Sequence, residues 1–178
     1  MSSGRQIRNV ALIGFMGAGK TTVGHLLAEV MGFELIDTDR VIEKRTQRRI
    51  QDIFATDGEP AFRALENELV LELESSSRVV ISTGGGLVVN RANLLSLRQH
   101  SLVTCLWASP ETIFERVKSQ THRPLLNAPD PLGKIRDLLV QRAPFYKEAD
   151  LLVGVDFRAP QETVRHIAAA FARAVALS

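Results

Sequence analysis

Apolar residues along this chain alternate between two patterns. Short unbroken apolar runs predict buried strands near 9–14, 33–37, 78–83, 101–107 and 150–155. Between them, apolar positions recur every three or four residues, the spacing that gives a helix one buried stripe. Val23, Leu26, Leu27, Val30 and Met31 form the first stripe, which Gly32 terminates. Residues 41–57 read as one helix ending at the Asp57-Gly58 turn, with Pro60 in the first turn of the next. That next helix packs through Phe62, Leu65, Leu69 and Leu73. A short helix is expected over 91–99, and one opened by Pro110 buries Ile113, Phe114 and Val117. Another runs from 132 onward through Ile135, Leu138 and Leu139, with Pro144 inside its pattern. The last starts at Pro160 and carries Val164, Ile167, Ala168, Phe171 and Val175. Strand alternating with helix predicts an α/β fold, a parallel sheet with helices on both faces and ligands at the carboxyl ends of the strands.

Composition narrows the function without naming one. The 178 residues suit a single domain, and no repeat, linker or low-complexity tract interrupts them. A net charge of +2, with basic residues dispersed, argues against nucleic acid and is compatible with small anionic substrates. One cysteine, Cys105, excludes an internal disulfide and sits in an apolar run, where it reads as a core residue of a protein in a reducing cytosol. No apolar run reaches membrane-spanning length, so no membrane partner is expected. Arg5 and Arg8 precede only a short apolar run, which does not read as a signal peptide. His25, His100, His122 and His166 lack metal-ligand spacing and read as surface or satisfied residues.

The chemistry begins where the first strand breaks. Gly14-Phe15-Met16-Gly17-Ala18-Gly19-Lys20-Thr21 matches G-x-x-x-x-G-K-[ST] between a strand and a helix, the context a phosphate-binding loop requires. Glycines let successive N–H groups turn inward around phosphate oxygens, and the helix start adds the positive end of its dipole. Gly14, Gly17, Ala18, Gly19, Lys20, Thr21 and Thr22 are therefore the candidate nucleotide contacts, with Lys20 aimed at the β/γ-phosphates and Thr21 a Mg²⁺ ligand.

Further candidates follow in chain order. Asp37 and Asp39 stand at the end of the second strand, where one can serve a metal and the other an acceptor hydroxyl; a helix cap explains one of them equally well. Arg63 and Glu66 admit a solvated ion pair or, for Arg63, a bidentate grip on a substrate carboxylate. Gly84, Gly85 and Gly86 end a central strand, either as a slack loop or as a wall that backbone or ligand approaches closely. The third strand does not end in aspartate, so the metal's carboxylate falls to Asp37, with Asp156 as rival. Residues 119–131 lose all periodicity and read as an active-site lid carrying Arg123 or as a surface loop. Arg142, two residues before Pro144, is a further candidate, though a surface arginine fits its place too.

Taken together, GFMGAGKT, the DTD at 37–39, FATDGEPAFRALE at 54–66, STGGG at 82–86, RPLL at 123–126 and RAPFY at 142–146 resemble the shikimate kinases over nearly the whole chain. The resemblance implies a P-loop fold of the nucleoside monophosphate kinase type. Its five-stranded parallel sheet would carry a substrate-binding helical region at about 38–66 and a lid at about 119–131. It implies transfer of the γ-phosphoryl group of ATP, with Mg²⁺, to the 3-hydroxyl of shikimate on the route to chorismate and the aromatic amino acids, by a cytoplasmic protein. It further implies Asp39 as the group that contacts the acceptor hydroxyl, and Arg63, Arg142 and Gly84–Gly86 around the carboxylate and ring hydroxyls. Phe54, Phe62 and Glu66 would complete that pocket, Arg123 would reach the phosphates, and Arg116 and Pro160 would flank adenine. No long surplus apolar face remains once the core is counted, so a monomer is expected.

Overall fold

The computed structural model describes residues 5–120 and 128–177. In chain order its strands are β1 (Asn9–Ile13), β2 (Glu34–Asp37), β3 (Val79–Ser82), β4 (Ser101–Trp107) and β5 (Leu151–Gly154). The helices are α1 (Lys20–Met31), α2 (Thr38–Thr46), α3 (Ile50–Thr56), α4 (Gly58–Leu73), α5 (Arg91–His100), α6 (Pro110–Val117), α7 (Pro131–Tyr146) and α8 (Pro160–Leu177). The strands form one sheet in the order β2-β3-β1-β4-β5, every pair parallel. β1, β3 and nearly all of β4 are buried on both sides, which is why they read as unbroken apolar runs. The two edge strands have four residues each and are more exposed, which limits the unpaired backbone offered to another chain.

Register brings the strand ends level. Asp37 pairs with Ser82 and Ser82 with Leu12, so the end of β2 stands beside the end of β1 although β3 lies between them. The Thr83 N–H continues the ladder to the Leu12 carbonyl at 3.1 Å. Three chain exits, at Gly14, Asp37 and Thr83, therefore open together at the carboxyl end of the sheet. Leu12, Ile13, Leu27, Ile81, Leu94 and Leu97 pack the core beneath them without measurable exposure. Each such side chain contributes about 1.5–3 kcal/mol. Cys105 is fully buried in this core, and burial pushes its thiol up to about 12, so it stays protonated.

The segment expected as one helix over 41–57 is two helices. Gln47 takes a left-handed φ of 53° after α2, and α3 restarts at Ile50, whose N–H is taken by Glu43 Oε1 at 3.0 Å. The apolar stripe carried no sign of this break, because it is made by a side-chain cap and not by glycine or proline. Pro144 does lie inside α7. The carbonyl it leaves unbonded one turn earlier belongs to Val140, an exposed residue. Among the described residues, no helix is long and apolar enough to cross a membrane.

Candidate active site

The loop from Gly14 to Gly19 curls at the end of β1 because its glycines accept backbone angles that other residues avoid. Gly19, at φ 96°, is the N-cap of α1 and turns the chain into the helix, while a Cβ on Gly14 would run into the carbonyl oxygen of Leu106. Lys20 is buried, its Nζ donating to the carbonyls of Gly14 at 2.8 Å and Phe15 at 2.9 Å. It thus bends back over the loop whose amides would hold an anion. Lys20, Thr21, Thr22, Asp37, Asp39, Thr83 and Gly85 all line one cavity of about 430 Å³.

Asp37 uses its two carboxylate oxygens differently. Its Oδ1 caps α2 by accepting the Arg40 N–H at 3.2 Å, and its Oδ2 lies 3.4 Å from Thr21 Oγ1 across the cavity mouth. A hydroxyl and a carboxylate set side by side are hard oxygen donors that suit Mg²⁺, which takes few protein ligands and fills its shell with phosphate oxygens and water. Among the described residues no group of three or more His, Cys, Asp or Glu side chains is placed to hold a metal ion. Asp156, the rival, is committed elsewhere: its Oδ1 accepts from the Ser109 N–H at 2.9 Å and Oγ at 3.0 Å.

Asp39 does none of this structural work. Its Oδ1 is shut off from solvent and has no hydrogen-bond partner. Desolvation, reinforced by the charge on Asp37 and opposed by Lys20, raises its pKa to about 6. Glu66 lies close by, fully buried, its Oε2 bonded to Arg63 Nη1 at 2.5 Å and its Oε1 unpartnered. Burial raises its pKa as well. Arg63 also binds Glu59 Oε1 at 2.8 Å, so it is an ion-paired residue and a wall of the pocket at once.

The triple glycine resolves in favour of close approach. None of Gly84, Gly85 and Gly86 has a positive φ. A Cβ on Gly84 would lie 2.6 Å from Asp39 Oδ1 and 3.1 Å from Glu66 Oε1, and one on Gly86 would lie 2.7 Å from Arg63 Nη2. A Cβ on Gly85 would stand 3.2 Å from the Met16 amide of the phosphate loop. The three glycines are therefore packed between the loop and the charged side chains on α2 and α4. Arg142 reaches the same wall, its Nη1 donating to the Gly85 carbonyl at 3.0 Å and its guanidinium lying 5.2 Å from the Phe15 ring centroid. Phe54 and Phe62 stack at 4.9 Å, and Arg63 lies over Phe62.

A second cavity of about 260 Å³ adjoins the first, lined by Ala18, Gly19, Thr22, Arg116, Arg158 and Pro160 among others. Arg116 is fixed there by bonds to the carbonyls of Gly17 at 3.2 Å and Val155 at 3.0 Å. Sequence reasoning passed over Arg158, which is separated from Pro160 by one residue, and over Thr38, whose Oγ1 accepts the Gly84 N–H at 3.0 Å. It also gave no role to Tyr146, though that residue closes the RAPFY block. Arg123 and most of the expected lid lie outside the described residues.

The family model described as shikimate kinase matches residues 16–172. A shikimate kinase from Trichormus variabilis is 44% identical over 168 residues, covering 94% of this chain and 91% of its own. One from Thermodesulfovibrio yellowstonii is 42% identical over 161 residues, with 90% and 93% covered. Among solved structures, the shikimate kinase from Acinetobacter baumannii in complex with shikimate superposes with a TM-score of 0.88 at 36% identity, covering 95% of each chain.

Proposed function

The chain belongs to the shikimate kinase family, and we propose how its own residues divide the work of that family's reaction. The reaction is transfer of the γ-phosphoryl group of ATP to the 3-hydroxyl of shikimate, giving shikimate 3-phosphate and ADP on the route to chorismate. In the proposed division, the amides of Gly14–Gly19 and the α1 N-terminus hold the phosphates, and Lys20 exchanges its two carbonyl partners for phosphate oxygens. The base occupies the smaller cavity between Arg116 and Pro160. Thr21 and Asp37 hold Mg²⁺, which when bound neutralises charge on the phosphate oxygens. Arg63 and Arg142 take the shikimate carboxylate, with Gly84–Gly86, Phe54, Phe62 and Glu66 shaping the pocket around the ring. The transferring phosphate is assigned to Arg123, which lies outside the described residues.

Asp39 is the centre of this reading. It lines the cavity beside Lys20 and Asp37, its Oδ1 packed against Gly84 without a hydrogen-bond partner and its pKa raised by burial. Asp39 orients the acceptor hydroxyl and accepts its proton, late in a loose transition state that asks for positioning more than basicity. We read the protein as a single kinase domain acting as a cytoplasmic monomer.

The test is ADP release with shikimate, gluconate and AMP measured side by side. Shikimate is expected to be the preferred acceptor by orders of magnitude. Faster turnover with gluconate or AMP would mean that the two arginines and the glycine wall do not select a cyclic hydroxy-acid.

A further inference from the structure

We propose that Tyr146 is a positioning residue for the acceptor: its hydroxyl fixes the central peptide of the triple glycine and, through it, the wall of the acceptor pocket. This rests on the reading that Arg142 and Gly84–Gly86 receive shikimate.

Tyr146 is the last residue of α7 and is 1% exposed. Its hydroxyl donates to the carbonyl oxygen of Gly85 at 2.8 Å. Arg142, one helical turn earlier, donates its Nη1 to the same oxygen at 3.0 Å. One carbonyl thus receives two donors from one helix, and carbonyl oxygen has lone pairs for both. The Tyr146 ring is held edge-on by Trp107, with centroids 6.4 Å apart at 80°, so the hydroxyl has little freedom to leave. Burial keeps the phenol protonated and able to donate at any working pH.

The placement matters because of what Gly85 touches. Glycine backbone resists rotation weakly. The Gly84 carbonyl is held by the Leu87 N–H at 3.2 Å and the Gly86 carbonyl by the Val89 N–H at 3.1 Å. The Gly85 carbonyl between them is held by Arg142 and Tyr146. Rotation at Gly85 would shift Gly84, which abuts Asp39 and Glu66, and Gly86, which abuts Arg63. With only Arg142 holding this carbonyl, a single side chain would have to anchor the wall and grip the substrate. Tyr146 takes over the first task and leaves the rest of the guanidinium fork for the carboxylate.

Tyr146→Phe, Arg142→Lys and the double variant separate the possibilities, with melting temperature, kcat and both KM values measured on each. Tyr146→Phe keeps the ring and its packing on Trp107, so folding is expected to survive. Its shikimate KM is expected to rise about tenfold, the loss of one net hydrogen bond, while its ATP KM stays within about twofold. Because both residues act on one oxygen, the double variant is expected to weaken shikimate binding by less than the product of the single effects. A shikimate KM within about twofold of the parent overturns the inference. So does a parallel rise in both KM values, the mark of a merely structural tyrosine, or a double variant whose losses multiply. If Arg142→Lys alone leaves the shikimate KM unchanged, the reading of the acceptor site is wrong and the inference falls with it.

Discussion

Asp39 Oδ1 lies 2.6 Å from the position that a β-carbon on Gly84 would occupy. The close contact is with the tip of a side chain and not with backbone. An alanine at Gly84 is therefore cheap for the fold, because Asp39 can swing aside. It is expensive for chemistry, because Asp39 must then leave the point where the acceptor hydroxyl binds. Gly84→Ala is expected to shift the melting temperature by only a few degrees, lower kcat by at least about a hundredfold, and leave ATP binding nearly intact. Calorimetry, turnover and nucleotide titration on one preparation check all three. A loss shared equally by kcat and ATP affinity would mean that the substitution disturbs the phosphate loop instead.

Asp39 also carries a stability cost that can be measured apart from its chemistry. Its folded-state pKa of about 6 lies above the ordinary aspartate value of 3.8, so the folded protein binds the extra proton between those values. Relative to the unfolded chain, the stabilising contribution is complete below the lower value and is lost as pH rises through the upper one. At neutral pH the ionised group thus opposes folding. Asp39→Asn is expected to stabilise the protein at pH 7–8 by on the order of 1–2 kcal/mol while cutting kcat far more than ATP affinity. In the parent enzyme, kcat/KM for shikimate is expected to decline on the acid side near pH 6. An Asn variant less stable than the parent at pH 8 would contradict the assignment of this cost to Asp39.

The inner strands were legible because burial on both faces writes itself as mainly apolar runs, and β4 spans the 101–107 expected for it. The phosphate loop was legible because its glycines answer a backbone requirement. What the sequence did not carry were features made by side chains meeting across the fold. The break after Gln47 depends on Glu43 capping Ile50, and the hydroxyl of Tyr146 meets a carbonyl 61 residues away in sequence. Two residues also make more contacts than their local pattern announced. Arg63 forms its ion pairs and also underlies Gly86, and Asp37 caps a helix with one oxygen while facing Thr21 with the other.

That double duty of Asp37 can be separated by choosing the right replacement. Asparagine caps helices about as well as aspartate, so Asp37→Asn preserves the bond to the Arg40 N–H. It removes the negative charge beside Thr21 Oγ1. The melting temperature is expected to stay within about 2 °C of the parent, while the Mg²⁺ concentration for half-maximal activity rises about tenfold. Asp37→Ala is expected to add about 1 kcal/mol of destabilisation through loss of the cap. If the two variants lose stability equally and neither alters the Mg²⁺ requirement, Asp37 is only a cap.

The end of the sheet away from the substrates holds a second titratable group whose effect has the opposite sign to that of Asp39. Asn9 is oriented without ambiguity, because its Oδ1 accepts the Val79 N–H at 3.1 Å and its Nδ2 donates to the Ser76 carbonyl at 2.9 Å. The same Nδ2 lies 2.9 Å from His100 Nδ1, which must therefore act as acceptor. The neutral ring then carries its proton on Nε2, a buried atom with no partner. Protonating Nδ1 would set two donors against each other in a site that already disfavours charge. Burial first, and the charge on Arg8 second, lower the His100 pKa below 6.5, while Glu74 opposes them. As pH falls below that ordinary value, the unfolded chain takes up a proton that the folded protein resists, and stability declines. His100→Asn removes the titration, so the stability measured by thermal unfolding between pH 7.5 and pH 5 is expected to depend less on pH in the variant than in the parent. Parallel curves for the two proteins would show that His100 is not the group responsible.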